Sequence, residues 1–180
     1  LLSLGGWHNH ETIDPTCMIY RPWWAFNLMR MNQYQPTQST SKPYLYESLL
    51  GARRPHRDFT MLKMQSLNML DCGIVTYRDF FKGEIIDQCT EEVKQHFSNL
   101  ELNWPYVSSN LDPSWEVQEK LSNSISPYVP WSVYRNTWYS IVCETNAHGG
   151  SFFMSEKTTK VLFAKRLFVL LGTPGFLTNL

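Results

Sequence analysis

The sequence has no surplus of either charge: sixteen Lys and Arg stand against sixteen Asp and Glu. Holding a nucleic acid by general phosphate neutralisation needs a basic excess, so no nucleic-acid partner is expected. Long apolar runs are missing too. The longest uninterrupted aliphatic or aromatic stretch is residues 167–171, against roughly 18 to 20 residues needed to cross a bilayer. It reads as a buried strand, and no membrane span is expected. No basic segment precedes an apolar one at the N-terminus, so nothing resembles a secretion signal. The four cysteines, Cys17, Cys72, Cys89 and Cys143, have no CxxC spacing. They read as reduced, mostly buried thiols in a cytoplasmic protein. No Walker or dinucleotide glycine fingerprint is present.

Aromatic residues are what the chain has in quantity. They make up 14% of it, as seven Trp, nine Tyr and ten Phe, flat apolar surface to bury or to offer a ligand. With 180 residues and 43% hydrophobic content, the length suits about one domain with its own core. The chain starts at Leu1 without a methionine and stops at Leu180 a few residues into what reads as a new helix, which predicts a piece of a longer protein.

Residues 1–42 are rich in loop signals, with Pro15, Pro22 and Pro36, one short helix expected from Pro22, and a polar linker over 35–41. They read as a remnant of a preceding domain or a linker, and residues 43–180 as the main domain. In that domain residues 43–50 are β-compatible and end at Gly51. A helix is expected over 58–70, with Phe59, Leu62, Ser66, Leu67 and Leu70 as its apolar stripe. Gly73 ends it, and Ile74-Val75-Thr76-Tyr77 follows as a strand. Residues 78–127 read as an insertion, with Asp112 or Ser114 capping a helix that includes Val117 and Leu121. A short helix at 130–135, a strand at 138–143, a helix at 156–165 and a strand at 167–171 complete a second strand-helix-strand unit. The expected class is α/β, Rossmann-like, with a largely parallel sheet and flanking helices.

Open parallel sheets bind ligands beyond the carboxyl ends of their strands. Two polar segments fall there. Gly51-Ala52-Arg53-Arg54-Pro55-His56-Arg57 puts three arginines and a histidine between a strand and a helix. Arginine's planar fork and a helix start both suit phosphate oxygens; a solvated basic turn paired with nearby acids is the other reading. The second segment runs from Glu144 through His148 to Ser155-Glu156-Lys157. Glu at a helix start is favourable by itself, whereas Lys there is mildly unfavourable unless an anion completes the site.

Tyr139-Ser140-Ile141-Val142-Cys143-Glu144-Thr145-Asn146, Phe153-Met154-Ser155-Glu156-Lys157 and Leu167-Phe168-Val169-Leu170-Leu171-Gly172 together resemble a signature of the α-1,3-fucosyltransferases and of related proteins of marine bacteria and their phages. Arg57-Asp58-Phe59 and Gly73-Ile74-Val75-Thr76-Tyr77 are similar to further segments of that family. The resemblance covers about residues 43–77 and 128–180. It implies a glycosyltransferase of two Rossmann-like domains, with this chain holding the nucleoside-diphosphate sugar in the donor-binding half. Arg57 and Lys157 would then contact the diphosphate, Glu156 would hydrogen-bond the ribose, and Glu144 would lie near the sugar or its hydroxyls. Arg53 of the basic turn and His148, between Asn146 and Gly149, are further candidates to touch the donor. No metal or other cofactor is implied. The expected partners are a nucleotide sugar and a glycan acceptor. The chain departs from the pattern at Thr145, Thr76 and Lys165-Arg166.

The catalytic base is expected from another domain. His8, His10 and Glu11 are local candidates, but a zinc site needs a third ligand the sequence does not supply, and they read as loop residues. Asp79, Glu84 and Asp87 read as surface charges. The competing function is a non-catalytic carbohydrate-binding or structural module on a transferase-derived fold, in which aromatic rings stack on sugars.

Overall fold

The β-branched and aromatic runs of the chain become its strands. The computed structural model describes residues 2–3, 19–20, 33–37, 39–78, 95–117, 127–147 and 154–179. Strands β1 (Leu2–Ser3) and β2 (Ile19–Tyr20) pair in parallel as a two-stranded sheet. The main sheet contains β3 (Tyr44–Leu50), β4 (Gly73–Tyr77), β5 (Tyr106–Val107), β6 (Thr137–Cys143) and β7 (Leu167–Leu171). Its spatial order is β5-β4-β3-β6-β7. β4, β3, β6 and β7 run parallel, and β5 is antiparallel to β4. Helices α1 (Pro55–Ser66), α2 (Trp131–Asn136) and α3 (Glu156–Phe163) flank the sheet. The chain is thus α/β with a mostly parallel five-stranded sheet, compatible with a Rossmann-like fold, as its strand and helix patterning predicts.

Strand side chains alternate between faces, and the two faces have separate cores. On one, Tyr46, Leu50, Val75, Tyr77 and Cys143 pack with Met61 and Met64 of α1. On the other, Val142 packs with Trp131 and Tyr134 of α2 and with Val161 and Ala164 from α3 and its end. Burying a side chain the size of Met61 contributes about 1.5–3 kcal/mol. Gly73 lets β4 approach β3 closely: a Cβ there would lie 2.6 Å from Cζ of the Tyr46 ring. The Tyr46 hydroxyl continues past it to donate to the Met69 carbonyl at 2.9 Å.

Several expectations need correction. Helix α1 begins at Pro55, three residues before the expected start, because proline's fixed φ and missing N–H suit the first helical position. His56 and Arg57 therefore belong to the helix and not to the loop. Its buried residues are Arg57, Asp58, Thr60, Met61, Leu62 and Met64; Leu62 of the expected stripe is thus buried, while Phe59 and Leu67 are exposed. The helix ends sooner than expected too: Asn68 takes a left-handed φ of 52°, and a 3-10 turn, Leu70–Cys72, leads into β4. Strand β7 is not buried. It lies at the sheet edge, and Leu167 and Val169 are 76% and 53% exposed, since α3 covers only the face bearing Phe168 and Leu170. Cys72 is exposed, unlike Cys143, and neither is in a disulfide. Residues 176–179 form a 3-10 turn where a helix was expected. The expected helix from Pro22, Leu121 and the thiols of Cys17 and Cys89 lie outside the described residues.

Candidate functional site

In chain order the parallel strands are β3, β4, β6 and β7, yet in space β3 and β6 are neighbours at the centre. From β3 the chain moves outward to β4, and from β6 it moves outward to β7. Such a reversal opens a crevice at the carboxyl ends of the two central strands. The loop 51–54 and the start of α1 border it from β3, and Glu144 and the start of α3 border it from β6.

Glu144 is the residue through which these elements are joined. It is fully buried, and its amide donates to the Leu171 carbonyl at 2.9 Å. Its carboxylate faces α3. Oε1 accepts from the Thr158 hydroxyl at 2.6 Å and from the Ser155 and Thr158 amides at 3.2 and 3.4 Å. Oε2 accepts from the Thr145 amide at 3.1 Å and from the Ser155 amide at 3.3 Å. The negative charge thus sits on free N–H groups at the positive end of the helix dipole, where it is stabilising. Its backbone carbonyl faces α1, accepting from His56 Nε2 at 2.8 Å and from Arg57 Nη2 at 3.3 Å. The carboxylate expected near a sugar is therefore the internal cap of α3, completed by Ser155 Oγ, which accepts from the Lys157 amide at 3.2 Å.

Arg57 is 3% exposed. Nη1 donates to the Ala52 carbonyl at 2.7 Å and Nη2 to the Glu144 carbonyl, while Nε is buried without an acceptor. Both partners are neutral, and among the described residues no carboxylate forms an ion pair with it. Burial pushes its pKa down, with the nearby charge of Arg54 acting in the same direction. Cys143, Tyr77 and Glu156 oppose the shift, but none of them pairs with the guanidinium, and a buried cation without a paired anion is costly.

Its two arginine neighbours differ. Arg53 behaves as the solvated-turn reading expects: Nη2 pairs with Asp58 Oδ2 at 2.8 Å, Nε donates to Oδ1 at 3.3 Å, and the guanidinium stacks on Trp104 at 5.4 Å. Asp58 accepts from the Tyr77 hydroxyl as well. Arg54, which sequence reasoning did not single out, is the N-cap of α1, and its Nε is buried without an acceptor. The signal was there, because the residue before a helix-opening proline is the cap position.

Lys157 approaches the same strand end from α3. Nζ donates to Glu156 Oε1 at 2.7 Å and to Thr145 Oγ1 at 3.2 Å. Arg57 and Lys157 therefore touch consecutive residues, Glu144 and Thr145, and both act on the Cys143 thiol, whose pKa burial raises. The anion that offsets Lys157 at a helix start is in the first place Glu156. Burial opposes the charge of Glu156, but Lys157 and Lys160 outweigh it and hold its pKa below the usual carboxylate value.

Behind Glu156 lies a row of buried charges that composition gave no reason to expect. Lys160 on α3 is brought down to about 8 by burial, Glu156 and Glu47 opposing and Lys157 reinforcing the shift. Glu47 on β3 is pushed up by burial, against Arg166, Ser140 and Lys160. Arg166 donates to the Tyr134 and Thr137 carbonyls at 2.6 and 3.1 Å and to Ser140 Oγ at 3.0 Å. Of the basic pair at 165–166, a departure from the fucosyltransferase pattern, Arg166 thus closes the C-terminus of α2, while Lys165 lies over the Tyr34 ring.

His148, His8, His10, Glu11, Asp79, Glu84 and Asp87 lie outside the described residues. Among the described residues no group of three or more His, Cys, Asp or Glu could hold a metal ion, and no helix is long and apolar enough to cross a membrane. No family model, curated protein or solved structure matches this chain.

Proposed function

We propose that this chain binds the diphosphate of a nucleoside-diphosphate sugar in the crevice between β3 and β6, as the donor-binding part of a fucosyltransferase-like glycosyltransferase. One observation carries the reading: Arg57 is a buried guanidinium held by two neutral carbonyls at the strand-order reversal, with no carboxylate paired to it among the described residues. Lys157 supports it from the opposite side. Its ammonium has three donors and uses two of them on Thr145 and Glu156.

The chemistry asks for this arrangement. As the bond between sugar and diphosphate breaks, negative charge grows on the phosphate oxygens, and cations fixed in place before the reaction stabilise that charge without reorganising. An acceptor hydroxyl on a glycan would take the sugar. Glu144 has no part in contacting it, since α3 occupies its carboxylate.

Calorimetric titration with GDP-, UDP-, ADP- and CMP-sugars tests the proposal. Binding of at least one, weakened in Lys157→Ala and Arg57→Met proteins that remain folded, is the expected result. If none binds, or if both variants bind as tightly as the parent, the reading is wrong.

A further inference from the structure

The start of α1 carries a second arginine that shares one feature with the first, a buried Nε without an acceptor. Arg54, at the N-cap, has extended backbone angles of −150° and 149°, and no side chain caps the helix. Arg57 follows three residues later, close enough for the charge of Arg54 to lower its pKa. Nε of each is buried without an acceptor. A buried donor left unpaired is unfavourable, and here two occur at one helix start that also sets like charges near each other.

Among the described residues no carboxylate forms an ion pair with either guanidinium. Asp58, the acid of the first turn, is already held by Arg53 and the Tyr77 hydroxyl. Backbone amides contribute little: Pro55 has none, and those of Arg57 and Asp58 both donate to the Arg54 carbonyl at 2.9 Å. Recognition at this helix start therefore falls to side chains. The α3 start differs, because Glu144 and Ser155 already fill it.

We infer that Arg54 and Arg57 together clamp one diphosphate at the start of α1, with Arg54 the residue that selects for its multiple charge. Arg57 is fixed by the Ala52 and Glu144 carbonyls. Arg54 is half-buried, and its charge acts on Arg57. Two guanidiniums match the four or more acceptor oxygens of a diphosphate, whereas a carboxylate has two oxygens and one charge. This inference rests on the donor-site reading above and adds to it a residue, Arg54, that reading did not use.

The test titrates the protein with inorganic pyrophosphate and, separately, with acetate, following heat or tryptophan fluorescence. The parent chain should bind pyrophosphate at least tenfold more tightly than acetate. Arg54→Ala should lose at least tenfold in pyrophosphate affinity, and Arg54→Lys, which keeps the charge without the fork, should fall between. Circular dichroism checks that each variant is folded, and Arg54→Lys decides the matter if Arg54→Ala is not. Unchanged affinity in the Arg54 variants, beside a loss in Arg57→Met, overturns the clamp and leaves the donor site standing. Equal affinity for acetate overturns the charge selection. No binding of pyrophosphate to the parent chain removes both readings.

Discussion

Arg57 Nη2 donates to the carbonyl oxygen of Glu144 at 3.3 Å, tying the first turn of α1 to the residue that follows β6. The contact fixes a cation at the centre of the sheet edge without neutralising it, because a peptide carbonyl offers a dipole and not a charge. A carboxylate at the same place would have made a closed salt bridge. The Glu144 side chain could have supplied one, but α3 takes it.

Arg57→Met separates stability from binding. Methionine keeps much of the apolar volume and removes a buried charge that burial already disfavours. The loss of two hydrogen bonds opposes this gain, so unfolding free energy should change by less than about 2 kcal/mol. Affinity for a diphosphate should fall at least tenfold. Urea unfolding beside calorimetry checks both, and a loss of stability without loss of binding would assign Arg57 a structural role alone.

Glu144→Gln should act in the opposite sense. Its oxygens accept from Thr145, Ser155 and Thr158, and an amide NH2 in place of one oxygen would face donors. The expected loss is about 1–3 kcal/mol of stability, with α3 the first element to lose protection in hydrogen exchange.

Stability should rise with pH before it falls. Lys160 and Lys42 have folded pKa values of about 8, lowered mainly by burial from an ordinary 10.5. Between these values the unfolded chain binds more protons than the folded one, so stability increases through that window. Tyr46 and Tyr77 are shifted upward by burial from 10.0. Their contribution is present below 10 and is lost above it. Urea midpoints should therefore peak near pH ~9–10, and Lys160→Met should flatten the rise.

Gly73→Ala would place a methyl 2.6 Å from the Tyr46 ring, which Met69 holds through the hydroxyl. Overpacking of this kind costs typically 1–3 kcal/mol. Thermal unfolding should register it, and Gly73→Ala combined with Tyr46→Leu should recover part of the loss.

Much of the fold was legible in the residues. The strands at 44–50, 73–77, 137–143 and 167–171 and the helix opening at Ser155 follow from β-branched and aromatic runs ended by Gly or by a cap. The α1 boundary was misplaced because the apolar spacing around Phe59 outweighed the proline at 55. Strand β5, two residues long, carries too short a pattern to be recognised. Leu167–Leu171 looked buried because five apolar residues in a row give no sign of which face a neighbour will cover.

The sequence by itself determined the order of strands and helices and the presence of a basic turn between β3 and α1, since both are written in local periodicity and in the positions of Pro55, Ser155 and the glycines. The tertiary structure decided which arginines in that turn keep their charge unanswered. Asp58 reaches Arg53 and Glu144 turns its carboxylate to α3, and only then does Arg57 remain buried against neutral carbonyls. Ion pairing depends on where residues 87 positions apart come to lie, and no local pattern encodes that distance.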